Sequence, residues 1–535
     1  MPPDRPPIPP YPSLEPLEER VLVTAAQMRA IEEGVFQAGM PVAALMEKAG
    51  TLLAQRIMEL CPRTTHGKIG ILAGPGHNGG DAWVVARELH LRGYQVSVWA
   101  PSPRPKPLTA DHQRYGLSLG ISRLEDWDFE DDRPREQDAW VDGLLGFGLE
   151  QPPRDPLDSA IQWLNRQRRQ SPRLPVISLD LPSGLHTDNG QTLGVAVESS
   201  HTLCLGLWKR GLWQDRALAT VGQAQRLSLG LPESQIRAVL GENPPWQLLT
   251  VAYLGNLLPL PIPPDTHKYR RGRLLLVAGS RTYRGAAVLA ALGARASGVG
   301  LLSVAVPQGL QAQVSAAVPE ALVIPCPETP QGAIAAFPPH LDPQAFDTVA
   351  LGPGLTLEPA FLVEVMQDLG VPQVWDADGL TLLAQSGAFP LSNPTAPRVL
   401  TPHPGEFRRL FPDWATADLT PGEKAQGAAQ ASGAIVVLKG ACTAIAHPQG
   451  AVWIQGDSTP ALARGGSGDV LTGLMGGLMA MAQAQGRDPA TQVALAVGWH
   501  ARAGLYGADR RSPLGVDAHH LSQCLIPALQ GMLQP

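Results

Sequence analysis

Short apolar runs alternate along this chain with stretches in which apolar side chains recur every third or fourth position. That alternation predicts parallel α/β sheets: strands covered on both faces are apolar throughout, and the helices crossing between them are apolar on one side. Two blocks show it. In the first, Lys68–Ala73 predicts a strand, Asp81–Arg92 a helix and Gln95–Ala100 the next strand, with further buried strands at Asp138–Leu145 and Val176–Leu181. In the second, strands are predicted at Arg273–Ala278, Leu302–Val306, Thr348–Leu351, Gln373–Trp375 and Val399–Thr401, and a helix at Ala286–Ser297. A hairpin follows, its arms at Ile435–Lys439, Thr443–His447 and Ala451–Ile454 turned at Pro448-Gln449-Gly450, and then a helical C-terminal third.

Prolines punctuate the pattern. Asn243-Pro244-Pro245 and the four prolines of Leu258–Pro264 lack the N–H that a central strand needs, which sets a boundary near residue 240. The division expected is a Pro-rich flexible tail over residues 1–19, one α/β domain over 20–240 and a second over 241–535. With seven prolines and no apolar core, Met1–Pro12 reads as a polyproline-like flexible tail and not as a signal peptide. The most apolar stretch, Val470–Ala482, falls short of the roughly 18 residues that span a bilayer and reads as a buried helix.

Composition narrows the partners. With 535 residues, 42 Lys+Arg and 48 Asp+Glu, the net charge is −6, and no basic block or acidic tail marks a nucleic-acid or membrane-surface protein. Small molecules are the expected partners. Cys61, Cys204, Cys326, Cys442 and Cys524 are widely spaced and form no CxxC pair, so neither a disulfide framework nor a zinc site is suggested; a reducing cytoplasm fits.

Chemistry concentrates at strand ends. Gly74-Pro75-Gly76-His77-Asn78-Gly79-Gly80-Asp81 follows a strand and opens a helix, so its glycines fit GxGxxG. A dinucleotide fold would also need an acidic residue at the end of the second strand, and Val96–Pro101 has none. What remains is an anion-friendly turn carrying Asn78 and Asp81. Two more clusters, Asp142–Gly148 and Asp180–Gly184, sit at strand ends, where such sheets bind ligands. Each Asp alone can be a cap or turn former. Together, Asn78, Asp142 and Ser183 are an oxygen set suited to a hard monovalent cation, and Asp180 can transfer protons.

Leu45-Met46-Glu47-Lys48-Ala49-Gly50, the Asn78–Asp81 loop, Asp142–Leu149 and Asp180–Leu185 together resemble the NAD(P)H-hydrate epimerase family over roughly residues 20–235. The resemblance implies a Rossmann-like three-layer αβα fold and a bound potassium ion on Asn78, Asp142 and Ser183. It places hydrate contacts at His77, Asn78, Gly79, Gly80 and Asp81, at Gly146, Phe147, Gly148, Leu149, Glu150, Gln151 and Pro152, and at Asp180 as the catalytic group. The family usually has Asn and Gly where this chain has His77 and Ala82.

A second glycine loop, Ala463–Leu471, precedes the apolar helix. Its backbone N–H groups and the positive end of the helix dipole converge where charge builds on a transferring phosphoryl group, and Asp469 can accept a hydroxyl proton. It is not a Walker A loop, because it lacks the lysine, and Gly-Asp opening a helix is also ordinary capping. His267-Lys268, Gly279-Ser280, Gly285-Ala286, Gly352-Pro353-Gly354, Asp376-Ala377-Asp378, Thr401–Glu406 and Lys439-Gly440 accompany it near predicted strand ends or turns. Singly, His403, Lys439 and the Asp376/Asp378 pair each have plain structural readings.

In this order the set resembles the ADP/ATP-dependent NAD(P)H-hydrate dehydratase family, covering about residues 250–530 with a ribokinase-like α/β fold. By that resemblance Ala286, Gly354, His403 and Asp469 contact the hydrate, with Asp469 catalytic. Lys439, Gly440, Ala441, Cys442, Thr443 and Gly468 hold the nucleotide, and Thr381 stands where the family commonly has Asn.

The implied activity is repair of hydrated NADH and NADPH: epimerisation of the R and S hydrates, and ADP-dependent dehydration of the S form with release of AMP and phosphate. Potassium in the first domain, ADP as phosphoryl donor and Mg2+ in the second, and a homo-oligomer without nucleic-acid or membrane partners, complete the expectation. The rival readings are a ribokinase-like kinase of a vitamin or pyrimidine alcohol with a Rossmann-like regulatory domain, and a first half that is only a binding scaffold.

Overall fold

Strand Lys68–Ala73 is buried along all but its first residue, and Ala139–Gly143 and Val176–Leu179 are buried throughout, as interior parallel strands must be. The computed structural model describes residues 15–533 apart from 102–103, 125–126, 128, 130–135 and 388–395, so the tail expected over residues 1–14 lies outside the described residues. Residues 15–19 do not continue it: Leu17–Glu19 is a 3-10 turn and Leu17 is buried. The chain divides into two units, Pro16–Pro244 and Pro245–Pro535, Glu15 belonging with the latter.

The first unit is built on a seven-stranded parallel sheet in the order Ser122–Arg123, Gln95–Trp99, Lys68–Ala73, Ala139–Gly143, Val176–Leu179, His201–Leu205, Gln223–Leu227. The chain runs outward from Lys68–Ala73 on one side and returns on the other, so the crevice between the ends of Lys68–Ala73 and Ala139–Gly143 is the topological switch point where such sheets bind ligands. Residues of helices Ala25–Gln37, Val42–Leu60 and His77–Leu91 share one apolar core on the sheet. Another core joins Leu157–Gln170 to the sheet through Trp99, Trp140 and Trp163, with Trp127 and Phe129 packed edge-on or tilted among them at 4.7–6.2 Å between ring centres.

The second unit has a ten-stranded sheet in the order Trp246–Leu248, Val452–Gln455, Thr443–Ala446, Ile435–Leu438, Arg398–Leu400, Gln373–Trp375, Thr348–Leu351, Arg273–Val277, Leu301–Pro307, Leu322–Cys326. Thr443–Ala446 is antiparallel to both neighbours, as the expected hairpin requires, and the other pairings are parallel. The switch point lies between Arg273–Val277 and Thr348–Leu351.

Above it, helices Arg284–Ser297 and Ser467–Ala484 approach to backbone contact. A Cβ on Gly473 would stand 1.8 Å from the Ala290 carbonyl oxygen, and one on Gly293 2.1 Å from that of Val470. Trp246–Leu248, for which no strand is expected just after Asn243-Pro244-Pro245, is a parallel edge strand on Val452–Gln455. No helix among the described residues is long and apolar enough to cross a membrane.

Candidate active sites

Gly74 and Gly79 let the first glycine loop fold onto itself and onto the next strand end. A Cβ on Gly74 would meet the Leu144 carbonyl oxygen at 1.7 Å, and one on Gly79 the Gly74 carbonyl oxygen at 1.8 Å. That approach sets Asn78 against the Leu145 carbonyl, to which its Nδ2 donates at 3.1 Å, and leaves its Oδ1 buried with no hydrogen-bond partner. Beside it the fully buried Asp142 accepts from Ser183 Oγ at 2.6 Å, Ser178 Oγ at 2.7 Å, the Ser183 N–H at 2.9 Å and the Leu144 N–H at 3.2 Å. Burial raises the Asp142 carboxyl, and these donors oppose the rise. Three strand-end loops thus meet in one oxygen-rich knot.

The knot borders a cavity of about 540 Å³ lined by, among others, Arg29, Glu32, Phe36, His77, Asn78, Asp81, Gly146, Phe147, Asp180 and Lys209. Asp180, in the left-handed region at φ 66°, accepts from the buried Lys209 ammonium at 2.5 Å and from the Leu205 N–H at 3.2 Å. Lys209 also donates to the Leu205 carbonyl at 2.6 Å and lies 5.7 Å from the centre of the Phe147 ring. Burial disfavours its charge, but Asp180, Cys204 and Glu32 outweigh that and raise its pKa. The Asp81 carboxyl is driven well above its usual range by burial and then by Asp180 and Glu32. Burial likewise lifts Glu32 to about 7, Lys209 and Arg29 opposing and Asp180 adding.

In the second unit the glycine loop ends in Gly466 at φ 90°, which caps helix Ser467–Ala484, whose first N–H, that of Ser467, donates to the Arg464 carbonyl at 3.2 Å. Beneath the loop Asp376 is a hub: it accepts from the Lys439 ammonium at 2.6 Å, Thr401 Oγ1 at 2.7 Å and Thr472 Oγ1 at 2.7 Å. Burial alone would raise Asp376, but the Lys439 charge and these donors hold it below its ordinary value. A Cβ on Gly468 would lie 3.6 Å from both Asp376 Oδ2 and Lys439 Nζ, so the loop rides directly over the pair.

Asp469 is raised to about 7, first by burial and then by Asp376, with Lys439 opposing and Asp378 adding. The buried His500 braces the loop from behind, its Nε2 3.0 Å from the Ser467 carbonyl oxygen and 3.2 Å from Ser467 Oγ. Gly354 at φ 64° would place a Cβ 2.8 Å from Ala286 Cβ, so these two crowd together. His403 caps helix Pro404–Leu410, its Nδ1 accepting the Gly405 N–H at 2.9 Å while the Glu406 carboxylate accepts the His403 N–H at 2.8 Å.

Comparison with known proteins gives two family matches. Residues 42–211 match the YjeF-related protein N-terminus and residues 274–527 the NAD(P)H-hydrate dehydratase model. The bifunctional NAD(P)H-hydrate repair enzyme Nnr of Synechocystis sp. is 50% identical over 518 residues, covering 96% of each chain. That of Gloeobacter violaceus is 48% identical over 513 residues, covering 95% of this chain and 97% of its own. This chain belongs to the bifunctional NAD(P)H-hydrate repair enzymes. Among solved structures, an ADP/ATP-dependent NAD(P)H-hydrate dehydratase from Bacillus subtilis, co-crystallised with ATP/Mg2+, is 28% identical with a TM-score of 0.45; it covers 53% of this chain and 98% of that one.

Of the epimerase contacts expected in this repair enzyme, His77, Asn78, Asp81, Gly146, Phe147 and Asp180 line the cavity. Gly79 and Gly80 are buried in the turn behind it: a Cβ on Gly80 would meet Met46 Sδ at 2.7 Å. Gly148 and Leu149 lie outside the lining, and Glu150, Gln151 and Pro152 point to solvent. Asn78, Asp142 and Ser183 converge as described. Ala82, where the family usually has Gly, packs against Gly143, whose Cβ would come within 2.5 Å of the methyl.

In the dehydratase half Gly468, Asp469 and Lys439 converge with Asp376. Gly440 and Thr443 form the turn after Lys439, whereas Cys442 is buried in it. The sequence reading missed Arg29, Glu32 and Lys209 in the first cavity and His500 in the second site. A signal for Lys209 was present: one charge closing the apolar run Leu205–Trp208.

Proposed function

We propose that the first unit interconverts the R and S hydrates of NADH and NADPH, and that the second removes the hydroxyl of the S hydrate at the expense of ADP, giving the reduced nicotinamide, AMP and phosphate. The observation behind the second activity is the Asp469 carboxyl, raised to about 7 and set at the N-terminus of helix Ser467–Ala484. A carboxyl poised there takes a proton near neutral pH, and the helix N–H groups receive the charge of the transferring phosphoryl.

Asp469 takes the hydroxyl proton as the oxygen attacks the terminal phosphorus of ADP. Lys439, fixed by Asp376, faces the phosphate from below the loop. The phosphate ester leaves far more readily than hydroxide would, so elimination restores the dihydronicotinamide. Likeness over 96% of the chain, spanning both halves, favours this reading over a vitamin kinase with a regulatory domain.

Magnesium fits as the companion of the nucleotide. Among the described residues no three His, Cys, Asp or Glu side chains gather to hold a metal, which suits an ion borne largely by phosphate oxygens, whose charge it would neutralise. Potassium fits the first unit. The unpartnered Asn78 Oδ1 beside Ser183 Oγ, Asp142 and the Leu145 carbonyl is the mostly neutral oxygen set a weakly hydrated monovalent ion prefers, and there it would hold three loops together. Five buried cysteines, none in a disulfide among the described residues, accord with a reducing cytoplasm.

The test uses purified protein, mixed hydrates and ADP, following absorbance of the reduced nicotinamide. Asp469→Asn is expected to abolish dehydration and spare epimerisation, and Asp180→Asn to do the reverse. Wild-type dehydration by Asp469→Asn would reduce Asp469 to a helix cap, and loss of S-hydrate dehydration in Asp180→Asn would overturn the division of labour.

A further inference from the structure

Helix Ala25–Gln37 turns Arg29, Glu32, Glu33 and Phe36 toward the first unit's cavity, an i, i+3, i+4, i+7 set on one face. Opposite stand Asp81, Asp180 and Lys209, so three carboxyls, Glu32, Asp81 and Asp180, share one buried ammonium. Lys209 pairs with Asp180 at 2.5 Å. Glu32 has no hydrogen-bond or ion-pair partner among the described residues, although it is half-buried in the cavity wall. What such a carboxyl faces is whatever fills the cavity.

Taking hydrate epimerisation as the reaction of this cavity, we propose that Glu32 is the general acid that works opposite the Asp180 base. The hydrated ring carries its hydroxyl on a carbon bonded to the ring nitrogen. Asp180 takes the O–H proton, the C–O bond becomes a carbonyl, the C–N bond breaks, and the electron pair left on nitrogen takes the proton of Glu32. The aldehyde turns its other face, nitrogen adds to it and gives its proton back to Glu32, and Asp180 returns the proton it took to the oxygen, which becomes the hydroxyl of the other epimer. The cycle is redox-neutral and needs no co-reactant. It does need one ionised and one protonated carboxyl at the same pH, and a single ammonium among three carboxyls supplies that division.

The environment sets the sense of the pH dependence. Arg29 and Glu33 flank Glu32 on its own helix, Asp81 and His77 face it from helix His77–Leu91, Lys106 from the segment beyond, and Asp180 with Lys209 from the strand ends. Burial outweighs the nearby cations and keeps Glu32 protonated up to about 7. A general acid must carry its proton, so epimerisation falls as pH rises through that value.

The experiment follows interconversion of purified R hydrate by the full chain against pH, by chromatography of the epimers. Glu32→Gln is expected to lower kcat about 10²-fold with little change in KM and to lose the alkaline limb, while Glu32→Asp recovers part of both. Asp81→Asn retains the limb. Unchanged emission from the Trp99, Trp127, Trp140 and Trp163 cluster verifies that the unit is folded. Glu32→Gln with the wild-type rate and limb, or loss of the limb in Asp81→Asn instead, would overturn the assignment. A wild-type chain that does not interconvert the hydrates would remove the epimerase reading itself, a result visible before any variant is made.

Discussion

Asp469 and Asp376 belong to one site and are pushed in opposite directions: Asp376 has the Lys439 ammonium and two hydroxyls, Asp469 has burial and the charge of Asp376. A base works only when ionised, so dehydration should be full above about pH 7 and fall as pH drops through that value, roughly tenfold per unit below it. Lys439→Gln removes the cation that opposes this rise, and the acidic limb of the kcat profile should then move to higher pH; a limb that stays in place would show that Lys439 does not set the Asp469 proton. In the first unit, replacing potassium by a large organic cation at equal ionic strength should lower epimerisation and leave dehydration unchanged, with Asn78→Leu blunting the response. Indifference of epimerisation to the exchange would rule out the ion. Asn78, Asp142, Asp180 and Ser183 were legible because each stands at the end of an apolar run where a mere turn does not require it. Glu32 and Arg29 were not, since charges on an amphipathic helix look the same whether they face water or a cavity.

Between helices Arg284–Ser297 and Ser467–Ala484, glycine is a matter of backbone thickness. Gly473→Ala would gain about 1 kcal/mol of helix propensity, but its methyl would fall 1.8 Å from a carbonyl oxygen that cannot move alone. Overpacking should win by about 1–3 kcal/mol, lowering the melting temperature of this unit and, because Asp469 rides on the same helix, its dehydration rate. Gly531→Ala, on helix Ala518–Leu533 with nothing within 4 Å of the new methyl, should be neutral or slightly stabilising. Equal melting temperatures for the two variants would refute the argument. The same thinness explains where reading the chain fell short. Helix His77–Leu91 begins four residues before the expected Asp81 because Gly79 and Gly80 look like loop, yet they are the residues that let a helix start so close to a strand. Thr348–Leu351 and Gln373–Trp375 fell at their expected bounds because each is a short apolar run with an Asp at one end and Gly352 or Pro372 at the other, which leaves little room to place it otherwise. Trp246–Leu248 was missed because three residues after two prolines carry no period, and its partner Val452–Gln455 is some two hundred positions away.

The whole chain carries a net charge of −6, yet it is read as binding two polyanions, a pyrophosphate-bearing dinucleotide and ADP. A basic groove would be the obvious solution, whereas in the dehydratase half the cation beside the glycine loop, Lys439, is held in an ion pair. Lys439 is already neutralised by Asp376, and Asp378 and Asp469 add acid, so backbone dipoles at the head of helix Ser467–Ala484 are left to meet the phosphates. Dipoles act over a few ångströms and do not draw ligands from afar, whereas cationic surfaces speed encounter and lose that advantage as salt is added. The association rate of ADP, measured by stopped flow at fixed magnesium, should therefore hold steady or rise with ionic strength; a steep decline would mean a cationic surface steers it in. Placing the lysine's charge in an ion pair makes the nucleotide's arrival a matter of fit at contact, and leaves the enzyme's capture of ADP insulated from the salt around it.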